Sequence, residues 1–552
     1  MTEKIMSLRI THYVLSVAFL AAVIIFYTMS FRLTENADTH FVMNLGRYVV
    51  ENGFPHVVPF TIHDNLQLVA QQWLSGVFFW EAYKNFGADG LRGADCIIGI
   101  ILIIIHWRLC LFISGRNRFI SFALSFAVGL LIAPVIVPRP HIISAAILLL
   151  EVFFLEKFTR TRYYKYLFAL PLLSVLLINF HAAMWLMSLV VCLPFLFVKD
   201  LRHVKLLLAA MAAIFFCGLI NPYGLDAMTY VLRSYGIDII NQGVAEMMTP
   251  SAHDLRGKIF YLSEALIIFV LARYKVPLRY IFLSGGIIFM AIMHGRNMIL
   301  FYLLATLPLA HVWKSFKSEN FIGKGDGQYQ SRGVLTLLFF FLLMINTALI
   351  VKILKYGFGK IIFPLEILFV SEILFLLYNL LTREGGRVIH PRILPKKNLS
   401  LFVTAIFLGG IFWTTLPPDK KEPDETYTAA IKFLLKTERP ENISLFVNQG
   451  YGGLAGMFGI KYYIDSRSEV FLPENNGQKN ILEEYLDLRR GKIYYEDFFT
   501  RYDFTHIITT SDDYRLYENL SRDKNFRVVY ESERVKDYDV IHCKVFVPKN
   551  GD

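Results

Sequence analysis

Apolar stretches dominate the first three quarters of the chain, and their lengths set its class. Residues 97–105, 119–137, 335–350 and 399–416 carry few or no charges. They approach or reach the roughly 20 apolar residues that cross about 30 Å of hydrocarbon. A first run at 13–31 follows the short basic start Lys4 and Arg9. No small-residue cleavage site follows it, so it is expected to remain as a first membrane helix rather than leave as a signal peptide. Within 38–52, Phe41, Val42, Leu45, Tyr48 and Val49 recur at three-to-four spacing, which predicts a helix lying flat on the membrane interface. Gly53 and Pro55 end it, and 68–83 forms a second amphipathic stretch rich in aromatics.

The pattern changes after the linker LPPDKKEPDE at 416–425. Helical periodicity at 426–436, 481–490 and 514–522 alternates with strand-like runs at 443–447, 461–464, 505–510, 527–530 and 540–547, which predicts a small α/β domain. The expected architecture is a polytopic α-helical membrane protein with a C-terminal soluble α/β domain. Its regions are a first helix at 1–31, an outer loop with two juxtamembrane helices at 32–91, a helical body at 92–416 and the tail at 417–552.

Charge orients this scheme. Basic loops fall at 115–118, 157–165, 199–205, 273–279, 314–332 and 383–397. Placing them all in the cytoplasm gives about thirteen spans, with everything after 416 outside, provided 68–86 does not cross. The basic loop 352–360 then lands outside, so either the rule fails there or the count near that hairpin differs. At 55% hydrophobic and 15% aromatic, the chain is too apolar for a set of soluble domains. Its net charge of +11 is no nucleic-acid signature, because 417–552 holds 20 Lys and Arg against 24 Asp and Glu. The excess sits in the membrane half, where basic loops grip anionic headgroups. Four of the five cysteines, Cys96, Cys110, Cys192 and Cys217, fall within apolar spans and Cys543 stands alone in the tail, which leaves no disulfide framework and no Cys-rich metal site.

Polar residues that interrupt such a chain carry its chemistry, since a bilayer tolerates ionisable groups only where they line a wet, working cavity. They recur as Asp38 and His40, Arg139 and His141, Asn179 and His181, the turn Asn221 to Gly224 with Tyr223, and His294, Arg296 and Asn297, and the topology places nearly all of them on the outer face. Asp38 reads either as a helix N-cap or as a general base that takes a proton from an acceptor hydroxyl. His40, His141, His181 and His294 read as packing groups or as the lining of a polar pocket, and beside a carboxylate they leave a divalent cation open. Asn221 and Gly224 are turn formers that end a helix. Glu246 is a second acidic group over the cavity or a solvated loop charge. In the tail, Gly450, Gly452, Gly453 and Gly456 match neither a dinucleotide fingerprint nor a P-loop, so tight turns are expected there. Asp465, Ser466 and Arg467 either contact an acceptor or serve folding.

The acidic residue after the first helix, the long outer loop, the many-span body and the outer α/β tail together resemble the GT-C superfamily of membrane glycosyltransferases. The stretches DTHFVMNLGRYVVENGFP, QQWLSGVFFWEAY, RPHIIS, INFHAAMWL, NPYG and YGGLAGMFGIKYYIDSRSEVF are similar to one bacterial branch of it. The resemblance implies transfer of a sugar from an outward-facing polyprenyl-phosphate donor to a lipid- or polymer-linked glycan acceptor of the cell envelope, in the inner or plasma membrane. It puts Asp38 at the catalytic acidic position. Gln71, Gln72, Trp73 and Leu74 stand where relatives often read His-Glu-Trp-Leu, which removes a carboxylate from the outer loop; Glu81 lies farther along. The donor phosphate needs cations as the glycosidic bond breaks, and Arg139 and Arg296 suit that role by their planar fork, with headgroup snorkelling as their other reading. Gln72, Trp73, Asn221, Tyr223 and Glu246 complete the expected pocket with the histidines. Two rivals remain. A ligase for a preassembled lipid-linked glycan needs the same outer Arg and His. A transporter needs mid-bilayer binding groups and internal symmetry, neither of which the sequence carries.

Overall fold

The computed structural model describes residues 37–234, 239, 245–252, 255–318, 383–384, 387–388, 423–532 and 542–549. The expected spans at 13–31, 335–350 and 399–416, the loop 352–360 and most of the linker 416–425 lie outside them. Among the described residues, three helices are long and apolar enough to cross a membrane: Trp73–Ile113, Arg118–Val135 and Tyr164–Leu196. They pack with Pro140–Thr161, Leu201–Cys217, Leu255–Arg273 and Leu278–Met293 around one continuous apolar core.

Two of the three long helices are bent. In Trp73–Ile113 the backbone leaves helical space at Gly87, where φ is 63°. A side chain there would be strained, and the elbow is tight enough that a Cβ on Gly90 would meet Ala82 O at 2.1 Å. In the second, His181 adopts an extended backbone (φ −162°, ψ 81°). Beyond it the chain folds back, for Trp185 Nε1 donates to Ser174 Oγ at 2.8 Å. Those residues are 11 apart, and a straight helix would separate them by about 16 Å.

A second hydrophobic core joins the helix Ala37–Asn52 (α1), the outer loop and the tail to residues of the helical body such as Ile178, Trp185 and Met228. The predicted helix at 38–52 is present as Ala37–Asn52, packed against protein. Every residue from Thr39 to Gly46 is buried. One side of α1 meets the first turns of Trp73–Ile113 at Gly46 and Gly76, where a Cβ on Gly46 would stand 2.0 Å from the Gly76 carbonyl carbon. Its other side meets the tail helix Gly452–Met457 (α2), where a Cβ on Gly453 would stand 2.9 Å from Phe41 N and one on Gly456 2.5 Å from Asn44 Nδ2. Small residues let helix backbones touch. Of the tail glycines expected to form tight turns, Gly450 does lie in one, Gly452 packs against Ile464, and Gly453 and Gly456 instead form a docking face. Arg47 fastens the contact by donating to Met457 O at 2.9 Å and Gly456 O at 3.0 Å, carbonyls at the end of α2.

The tail is the predicted α/β domain. Its strands Ser444–Phe446 (β1), Lys461–Tyr462 (β2), His506–Thr510 (β3), Phe526–Glu531 (β4) and Cys543–Pro548 (β5) form one sheet in the order β2-β1-β3-β5-β4. The first three are parallel, and β5 runs antiparallel to both β3 and β4. The exposed edge at β2 is covered by the outer loop, with Ile62 N donating to Tyr462 O at 3.0 Å and Tyr462 N to Phe60 O at 3.3 Å.

Gly46→Ala is expected to destabilise the protein by about 1–3 kcal/mol or more, because rigid backbone on both sides must move apart. Gly93→Ala, at a helical position with nothing within 4 Å of the added Cβ, is expected to be neutral or stabilising by about 0.5–1 kcal/mol. Thermal melting of both variants in detergent tests the pair, and equal effects would contradict the backbone contact.

Candidate functional site

The first turn of α1 carries Asp38, where a carboxylate is favoured by the helix dipole. The start of α1 is tied to the loop before Pro140–Thr161, since Thr39 Oγ1 donates to Pro138 O at 3.2 Å. The next residue in that loop is Arg139. Its Nη2 binds Asp38 Oδ2, while its Nη1 donates to Glu246 Oε1 at 2.6 Å. One guanidinium thus joins two carboxylates that are 208 positions apart in the chain. Fork-shaped, charge-assisted contact of this kind fixes orientation as well as charge. Burial lowers the tendency of Arg139 to hold its proton, and Asp38 and Glu246 more than reverse that, so its pKa is raised. Burial pushes the Glu246 carboxyl up, but Arg139, His141 and Arg296 together bring it below its ordinary value. Arg296 therefore stands close enough to Glu246 to act on its charge.

The segment bearing Glu246 is held by the turn His294 to Asn297. His294 Nδ1 pairs with Met247 O at 2.9 Å, and Gly295 N donates to Met248 O at 2.9 Å. Asn297 ends the preceding helix by donating to Met290 O at 3.0 Å. The motif at 294–297 thus positions the acidic segment as well as bringing Arg296 to it.

His181 reaches the same cluster from the fold-back, where its Nδ1 pairs with Ser144 Oγ at 2.9 Å. His141 pairs through Nε2 with Val135 O at 2.9 Å. The break at His181 exposes backbone groups that the outer loop satisfies. Ala182 N donates to Gln71 O at 2.7 Å, Ala183 N to Gln71 Oε1 at 3.2 Å, and Ser75 Oγ to Phe180 O at 2.8 Å. Trp73 Nε1 donates to Asn179 Oδ1 at 3.0 Å, and Asn179 in turn donates to Ile220 O at 2.8 Å. Buried backbone needs such partners.

The structure thus brings Asp38, Arg139, His141, His181, Glu246 and Arg296 to one place, with His294 behind them. His40 is buried beside Asp38 within α1. Gln72 lines a cleft next to the cluster. Asn221 is bonded within its own turn, to Gly218 O at 2.7 Å and Gly224 O at 3.0 Å, and Tyr223 pins the outer loop through Pro55 O at 2.9 Å. Both act on the frame rather than in the cluster. Glu81 contacts Lys84 and Asn85 on an exposed surface, away from these groups. Among the described residues no group of three or more His, Cys, Asp and Glu side chains is arranged to hold a metal ion.

Asp465 and Arg467 are buried and paired with each other, Nε to Oδ1 at 2.9 Å, and Arg467 also lies 4.2 Å from the centre of the Phe41 ring. Sequence reasoning passed over Glu469. It accepts from Tyr230 Oη at 2.9 Å and Gln71 Nε2 at 3.4 Å, and Asp38 is close enough to act on its charge. Burial first, with Asp38 adding to it, holds the Glu469 carboxyl above its ordinary value, against the opposing pull of its own backbone N–H, Tyr230 and Arg467. The available signal was a lone acid set directly before the apolar Val470, Phe471 and Leu472.

No protein-family model matches the sequence. No curated protein matches it either. Solved structures do. The oligosaccharyltransferase of Archaeoglobus fulgidus in its apo form superposes with a TM-score of 0.51 at 9% identity, covering 90% of this chain and 69% of that one. ArnT from Cupriavidus metallidurans, determined with undecaprenyl phosphate bound, superposes with a TM-score of 0.47 at 11% identity over 96% of this chain and 97% of its own. The folded helical body, α1 with its acidic first turn and the docked α/β tail together give this chain a fold similar to that of the archaeal oligosaccharyltransferase.

Proposed function

We propose that this chain is an integral-membrane glycosyltransferase of about thirteen spans that moves a sugar from a polyprenyl-phosphate donor to a cell-envelope glycan on the extracytoplasmic face. The observation that carries the reading is the meeting of Asp38, Arg139, Glu246 and Arg296 above an apolar helical body with the oligosaccharyltransferase-like fold. A carboxylate held by one guanidinium with a second in the same cluster suits a reaction in which one hydroxyl loses a proton while a phosphate leaves.

In this reading the acceptor oxygen forms a bond to the anomeric carbon, the bond from that carbon to the donor phosphate breaks, and the hydroxyl proton passes to Asp38. Arg139 keeps Asp38 aimed, and with Arg296 it stabilises the negative charge gained by the departing phosphate. Glu246 shares Arg139 with Asp38 and so balances its charge before the donor arrives. His141 and His181 line the mouth. The ligase alternative uses the same groups on a larger donor.

Asp38→Asn should leave the first turn of α1 intact and lower transfer by about 10²–10⁴-fold. Mass spectrometry of envelope glycolipids and polymers from cells lacking the protein, complemented with the intact chain or the variant, measures it. Equal restoration of the missing sugar would remove Asp38 as the base, and restoration of a whole chain rather than one residue would favour the ligase. A second expectation concerns pH. The carboxyl of Glu246 is depressed on folding, so its contribution to stability is present above the ordinary Glu value of roughly 4.3 and is lost as pH falls through the folded value. Glu246→Gln should therefore flatten the fall of the melting temperature on acidification, and an unchanged slope would contradict the clamp.

A further inference from the structure

His181 reaches the cluster at a break in its helix that the outer loop supports. The backbone there is extended, and Gln71 replaces the lost helical partners by accepting from Ala182 N at 2.7 Å and Ala183 N at 3.2 Å. The ring is half-buried, and Arg296, His141 and Arg139 stand close enough to act on its charge. Ser144 determines which ring nitrogen carries the hydrogen. Its hydroxyl is buried and donates its single hydrogen along its own helix to Pro140 O at 2.9 Å. The same oxygen lies 2.9 Å from His181 Nδ1. A hydroxyl that has spent its hydrogen can only accept, so Nδ1 carries the hydrogen. The reverse arrangement would set the lone pairs of Ser144 Oγ and Pro140 O against each other. In a neutral imidazole the other nitrogen is then a bare acceptor. Among the described residues, His181 Nε2 makes no hydrogen bond, and partial burial leaves it open to the mouth of the cluster.

We infer that Ser144 is a positioning residue: by fixing the hydrogen of His181 on Nδ1, it holds Nε2 as an acceptor for the donor-sugar hydroxyl next to the anomeric carbon. The inference rests on the transferase reading for the identity of that lipid. Arg139 and Arg296 supply only positive charge and N–H groups, which suit the phosphate. The sugar is joined to that phosphate at its anomeric carbon, so the hydroxyl on the adjacent carbon is the one nearest the guanidinium groups. That hydroxyl brings a hydrogen that needs an acceptor. Asp38 and Glu246 are engaged by Arg139, and His181 Nε2 offers its lone pair beside them. A bare nitrogen takes a hydroxyl and rejects a group that can only accept, because two lone pairs repel. With the hydrogen free to move to Nε2, that discrimination would be lost. Ser144 thus acts on sugar selection through His181 and touches no substrate itself.

The test uses the full-length protein in nanodiscs of phosphatidylethanolamine and phosphatidylglycerol at mildly alkaline pH. Nitrogen NMR of protein labelled at its histidine rings, with His181→Gln to assign the signal, should show hydrogen on Nδ1 and a bare Nε2. In Ser144→Ala a share of the hydrogen should move to Nε2. Binding is then measured for polyprenyl phosphate carrying glucose, and for the same lipid with fluorine in place of the hydroxyl next to the anomeric carbon, a group that accepts and cannot donate. The intact protein should favour the hydroxyl form by about 10-fold, the worth of one hydrogen bond, and Ser144→Ala should bring the ratio close to one. If Ser144 only packed its helix, the variant would weaken both lipids alike and keep the ratio. That result, hydrogen on Nε2 of the intact protein, or an intact protein that does not distinguish the two lipids would each overturn the inference. No acceptor is present and no turnover is measured. The expected tautomer and ratio, together with no missing sugar in the envelope glycans of cells lacking the protein, would therefore remove the transferase reading and leave the sugar-selecting role of Ser144 and His181 standing.

Discussion

Contact between helix backbones on both sides of α1 is the constraint on which the remaining structure depends. Gly46 lies against Gly76 on the membrane body, and Gly453 and Gly456 lie against Phe41 and Asn44 from the tail. Missing side chains at these positions let three elements approach to the distance at which dispersion between backbones accumulates. With α1 held in this way, Asp38 has no freedom to swing away from Arg139, and the tail has no freedom to lift Glu469 away from Gln71 and Tyr230. The chemistry of the site is positioned by packing some two turns distant from it.

Charges at the mouth are kept by sharing. A carboxylate drawn partly out of water is stabilised by a cation and hydrogen bonds, and Arg139 serves two partly exposed ones at once. Arg467 and Asp465 do the same for each other within the tail core. The backbone break at His181 is compensated in a similar way, with Gln71 and Ser75 replacing helical partners. The outer loop is thereby sewn to the helical body at the level of the site, which explains why a segment with little regular structure is well packed.

Local patterns made much of this legible. The helices at Ile481–Arg490 and Tyr514–Arg522 follow their apolar spacing closely, because each buries one side that its own sequence already marks, and the helix at Ala37–Asn52 is found where its spacing put it although it is buried on both sides. Glycines misled, since a sequence cannot tell a glycine needed for a turn from one needed for a neighbouring backbone. Glu469 was missed for a related reason: its importance comes from Tyr230 and Gln71, which are 239 and 398 residues away.

The chain's own order of residues determined its apolar class, the positions of its polar interruptions and the α/β character of its tail, because hydrophobic periodicity and length act within a few turns of one helix or strand. Only the tertiary structure decided which of those interruptions touch. The pairing of Arg139 with Asp38 and Glu246, the fold-back at His181 and the docking of the tail on α1 all depend on close contacts between distant segments, and such contacts leave no period along the sequence.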